Sequence, residues 1–82
     1  MDYHLTQHAH DVLVKRRIPE EWMKRILDAP ERTEKDQIDD NLEHRLGRIA
    51  DFGNRMLRVI VNVAARPPRV VTVYFDRRRQ MQ

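Results

Sequence analysis

The 82-residue sequence reads as a single α+β domain, with two N-terminal helices packed on a three- to four-stranded antiparallel sheet. Three observations support this. Apolar residues recur at helical spacing through residues 6–27, with a break at Ile18-Pro19. Two later runs, LRVIVNV at 57–63 and VVTVYF at 70–75, are rich in β-branched and aromatic residues. The length, with 40% apolar residues, suits one modest core and lies above the apolar content of disordered chains.

Residues 2–5, DYHL, suit a short strand. Thr6 suits a helix N-cap, where a hydroxyl accepts from an amide of the first turn. In the helix that follows, Ala9, Val12 and Leu13 form one apolar stripe, and the stem of Arg16 covers its end. Pro19 fits the first position of a second helix, with Glu20 and Glu21 at its positive end. Trp22, Met23, Ile26 and Leu27 then share a face, and Ala29-Pro30 stops the helix. Helices this short are marginal alone in water, so each must pack on something. The stretch TEKDQIDDN is a loop or a frayed edge strand, and EHRLGRIADF reads as a further strand. Gly53-Asn54 is a hairpin turn signal, and ARPPR is a loop, since proline cannot continue a ladder. The final residues, 77–82, read as a loose basic tail.

Strand alternation sorts the side chains. In the first strong strand Leu57, Val59, Val61 and Val63 share the helix-facing side, against Arg58, Ile60 and Asn62. In the second, Val71, Val73 and Phe75 oppose Val70, Thr72, Tyr74 and Asp76. The open face then presents Arg58, Asn62, Thr72 and Tyr74, a set able to bind phosphate and bases. The same pattern also describes a merely solvated sheet. The alternation of the upstream strand leaves the faces of Arg45 and Arg48 open.

The net charge of +3 is unevenly spread. Residues 31–44 carry a net −4, whereas residues 45–82 carry nine arginines against Asp51 and Asp76, and no lysine follows Lys35. Arginine presents a planar fork that grips phosphate or carboxylate with two bonds, so this half points to an anionic partner. No cysteine is present, which excludes a disulfide framework, a thiolate metal site and a cysteine nucleophile. No apolar run approaches a membrane span and no secretory leader pattern opens the chain, so the expectation is a cytoplasmic protein without membrane contact. No cofactor motif occurs.

His8 and His10 lie about 160° apart around a helix and cannot share one site. His8 borders the apolar stripe, where Asp11 can orient it, either as a functional group or as a structural hydrogen-bonder at the helix end; His10 points away. The His-x-His spacing suits a strand rather than a helix, so no metal site is expected.

LTQHAHDVLVKRRIPEEWMKRIL resembles the opening of the domain of unknown function 4258 family, and GRIADFGNRMLRVIVN and RVVTVYFDRR resemble its closing strands. Two positions depart from the family: Val12 stands where arginine is frequent, and Arg17 stands where glycine is common. The family is similar to BrnT-like and RelE-like toxins, metal-independent ribonucleases with helices on an antiparallel sheet. The resemblance implies an endoribonuclease acting on RNA by attack of the 2′-hydroxyl. It implies His8, Arg58 and Tyr74 as catalytic candidates, with Arg16, Thr72, Arg77 and Arg78 binding RNA phosphate; the open sheet face adds Asn62, and the arginine-rich half Arg45 and Arg48, to the phosphate-binding candidates. The alternative is a non-catalytic module that binds RNA or an acidic protein such as an antitoxin.

Overall fold

A computed structural model describes residues 2–77. The order is β1 (His4–Leu5), α1 (Gln7–Lys15), α2 (Glu20–Asp28), β2 (Arg32–Lys35), β3 (Leu42–Ile49), a 3₁₀ turn (Ala50–Phe52), β4 (Arg55–Asn62) and β5 (Arg69–Phe75). Strands β2 to β5 form the expected antiparallel meander, but the sheet has five strands in the order β1-β5-β4-β3-β2, and β1 runs parallel to β5. The expectation of three to four antiparallel strands is therefore corrected to a five-stranded mixed sheet. The physical reason lies in what alternation can reveal. β1 pairs through only two residues, too few for a pattern. β2, Arg-Thr-Glu-Lys, is held by its backbone ladder to β3 rather than by apolar side chains.

Both helices lie on one face of the sheet, α1 against β5 and α2 across β4 and β3. Thr6 caps α1 as expected, its hydroxyl accepting from Ala9 N at 3.0 Å. The end of α1 is a Schellman turn: Ile18 N donates to Leu13 O at 2.9 Å and Arg17 N to Val14 O at 3.2 Å. Ile18 and Leu13 are both buried, supplying the apolar contact that accompanies the motif. Arg17 occupies the left-handed position at φ 54°, where glycine is the usual residue. Pro19 lies one position earlier than expected, as the N-cap of α2.

Ala9, Leu13, Met23, Ile26 and Leu27 meet Leu57, Val59 and Val61 in the core. Gly47 lets α2 approach β3, since a Cβ there would lie 2.5 Å from Ile26 Cδ1. Val63 lies past the end of β4 and is exposed. Simple alternation fails in β5. Ile60 pairs with Thr72 but Val61 pairs with Val70, so Val71 is an extra residue, and both Val70 and Val73 are fully buried. The bulge turns Val70 inward, against its expected place beside Thr72 and Tyr74. Gly53 and Asn54, at φ 66° and 57°, make the expected turn into β4. Among the described residues, no helix is long and apolar enough to cross a membrane.

Candidate functional site

A cleft of about 620 Å³ runs between the C-terminal half of α1 and the outer edge of β5. His8 reaches it from the first turn of α1, and its Nε2 lies 3.2 Å from Thr72 Oγ1. Around it stand Arg16 and Arg17 from the end of α1, Arg55 from the start of β4 and Arg77 after β5, and among the described residues the lining contains no carboxylate. None of these four arginines pairs with an acidic group among the described residues. Arg55 is held instead over the ring of Phe52, 4.8 Å from its centroid, a cation–π contact. Val12 forms part of the wall.

The apolar end of the cleft is an aromatic trio. Trp22 and Phe52 have ring centroids 5.6 Å apart, Phe52 and Phe75 5.0 Å, and Trp22 meets Phe75 edge-on at 6.3 Å. Trp22 is thus half-buried at the cleft rather than enclosed with Met23, Ile26 and Leu27, which are buried as their shared helical face requires.

His8 and His10 separate as the helical geometry requires. His10 stays exposed, with Nδ1 3.6 Å from Asp11 Oδ1. Asp11 accepts from Gln7 Nε2 at 2.9 Å, and the partner of His8 is Thr72 rather than Asp11. The Gln7 bond, with His10 beside it, holds the Asp11 carboxyl below its ordinary range.

Arg58 is not in this cleft. It is 5% exposed and clamped by Asp76, itself 3% exposed, with Nη2 and Nε at 2.7 and 3.2 Å from Asp76 Oδ2. Its Nη1 donates to His44 Nδ1 at 2.7 Å and lies 3.4 Å from Glu34 Oε1. Because guanidinium only donates, Nδ1 of His44 must accept, so its proton sits on Nε2 and is given to Asp36 Oδ1 at 2.7 Å. Burial weakens the charge on Arg58, but the bond to Asp76 and the nearby Tyr74 and Glu34 outweigh it and raise its pKa. Asp36 is held low mainly by the Asp39 amide, then by His44 and the Ile38 amide. This network floors a second, polar cavity of about 490 Å³, and Tyr74 stands on the wall of both.

The other candidates disperse. Arg45 lies on the helix-facing side, where Nη1 donates to Leu27 O at 2.8 Å near the end of α2 and Nε pairs with Glu43. Arg48 is bound to Glu31 through both its backbone and its guanidinium. Asn62 accepts from Ala64 N and Ala65 N, closing the loop after β4. Arg78 lies outside the described residues, as does most of the expected tail. The structure therefore gathers His8, Arg16, Thr72, Tyr74 and Arg77 and leaves Arg45, Arg48, Arg58 and Asn62 elsewhere. Sequence reasoning missed Arg55, Arg17 as a cleft residue, and the His44–Asp36–Glu34 network. Glu34 faces His44 only through the β2–β3 register, which no sequence pattern displayed.

Fold and cleft define a small α+β domain with a cationic, histidine-bearing groove at a sheet edge. The chain belongs to the family described as "Domain of unknown function (DUF4258)", whose model matches residues 5–75. No curated protein and no solved structure matched it.

Proposed function

We propose that this domain is a metal-independent endoribonuclease of the kind found among BrnT-like and RelE-like toxins, acting on RNA at the His8 cleft. One observation carries the reading: a histidine, the side chain whose ordinary pKa lies nearest neutrality, sits in a cleft rimmed by Arg16, Arg17, Arg55 and Arg77 with no carboxylate among its described lining residues. Four guanidinium groups with no acidic partner among the described residues are suited to hold a phosphodiester and to stabilise the extra negative charge of a pentavalent phosphorus.

In this mechanism the 2′-hydroxyl gives its proton to His8 as its oxygen bonds to phosphorus. The bond from phosphorus to the 5′-oxygen breaks, and that oxygen takes up a proton from His8 or from the Tyr74 phenol. Thr72 orients the imidazole, a positioning role rather than direct contact with RNA. Arg58, opposite Tyr74 in the β4–β5 ladder and clamped to Asp76, lies outside the cleft and serves it only by holding these two strands together. Compared at equal folded concentration, His8→Ala lowers cleavage of a fluorescent RNA by roughly 10²-fold or more, while His10→Ala is nearly silent. Equal cleavage by wild type and His8→Ala overturns the proposal, and RNA binding without cleavage favours the binding-module alternative.

A further inference from the structure

The cleft has an unusual floor. It is lined by Thr72, Val73, Tyr74 and Phe75 in succession, residues of both faces of one strand. A cavity that touches both faces of a strand has the strand's edge as its base. β1 covers that edge only at Arg69 and Val70. One step further, the Thr6 hydroxyl donates to Val71 O at 3.1 Å, and beyond it no strand follows among the described residues.

The phase of the backbone can be read from the other side. Asp76 N donates to Met56 O at 2.8 Å, so these residues form a hydrogen-bonded pair of the antiparallel ladder. Two-residue alternation then turns the N–H and C=O of Tyr74 and Thr72 towards β4, and those of Val73 and Phe75 outward into the cleft. The outward direction of Val71 O, taken by Thr6, fits the same phase.

We infer that the outer edge of β5 is a strand-addition site for an acidic, extended protein segment. The backbone of Val73 and Phe75 supplies the ladder. The four cleft arginines repel the like-charged edge of a second copy and select glutamate or aspartate. Val12, Ile18 and the aromatic trio offer an apolar wall to alternate side chains. The uncovered stretch from Thr72 to Phe75 takes about four residues, roughly 13 Å at a strand's rise of about 3.3 Å per residue. Such a segment fills the space proposed above for RNA, so its action as an inhibitor rests on that reading, whereas its docking does not.

The test uses the full chain and an acetylated, amidated octapeptide alternating glutamate with valine. Amide hydrogen exchange at Val73 and Phe75 is expected to slow at least tenfold on binding. N-methylation of every second peptide amide, on the edge that would face β5, is expected to weaken binding at least tenfold, and a lysine–valine peptide is expected not to bind. Unchanged exchange at both amides, equal binding of the N-methylated peptide, or equal protection of the same amides by oligouridylate overturns the inference. Protection of both amides with RNA cleavage unaffected supports strand addition and counts against the shared cleft, so the two readings fail separately.

Discussion

Arg17→Gly should make the protein more stable and a poorer ligand for RNA. Arg17 holds φ at 54° in the C′ position of the Schellman turn that ends α1. For a residue with a Cβ this conformation costs about 1–2 kcal/mol. Glycine removes that cost, but its looser unfolded chain returns roughly 0.5–1 kcal/mol. The net expectation is stabilisation by about 0.5–1 kcal/mol, seen as a midpoint about 4 °C higher in a domain of this size. Arg17 also contributes one of the four cleft guanidinium groups. Its loss should weaken binding of single-stranded RNA and reduce the slope of log K against log salt by about 0.7, the share of one phosphate contact. Arg17→Ala separates the two effects: it loses the same charge but keeps the backbone strain, so it binds as Arg17→Gly does without melting higher. Thermal melts and salt titrations of both variants are the assay. A glycine variant that melts at or below the wild type refutes the strain argument, and an unchanged salt slope in both variants refutes Arg17 as a phosphate contact.

Arg58→Ala should cost roughly 3–5 kcal/mol, because the buried Asp76 carboxylate loses its guanidinium, and so small a domain would be close to unfolding; a variant with wild-type stability contradicts the burial of this pair. Asp36, Glu31 and Asp51 all have lowered pKa values, set chiefly by the Asp39 amide, the Arg48 amide and the Arg25 guanidinium respectively. A lowered folded pKa adds stability that is present above the unfolded value, about 4, and is lost as pH falls through the folded one. Acid unfolding should therefore steepen below about pH 4, and Asp36→Asn should flatten that limb; an unaltered acid limb speaks against the Asp36 contacts. Trp22→Ala should cost roughly 3 kcal/mol, the low end for a large aromatic, because Trp22 is only half-buried. Its emission should also change when RNA fills the cleft, and constant emission at saturating RNA would place the ligand elsewhere.

Much of the frame was legible because its signals are local. The Thr6 cap, the break at Ile18-Pro19, the Gly53-Asn54 turn and the inward Leu57, Val59 and Val61 each follow from a few adjacent residues. The separation of His8 from His10 was legible for the same reason. The bulge at Val71 was not, because one inserted residue leaves composition unchanged while reversing alternation behind it. Arg58 looked like an open-face phosphate ligand, since alternation gives the face but not what covers it. The side chains that enclose it come from β2, β3 and the residue after β5, and their meeting depends on register. The cleft was half legible: His8, Arg16, Thr72, Tyr74 and Arg77 were in view, but Arg55 joins them only through the hairpin that returns β4 beside β5.

The ends left on a cut RNA test the central claim most directly. The purified chain is incubated in excess over a short RNA and the products are weighed by mass spectrometry. Attack by the 2′-hydroxyl with His8 as proton carrier predicts a 2′,3′-cyclic phosphate on one fragment and a 5′-hydroxyl on the other, both strongly reduced with His8→Ala. Intact RNA, or fragments bearing 5′-phosphates, would contradict the account.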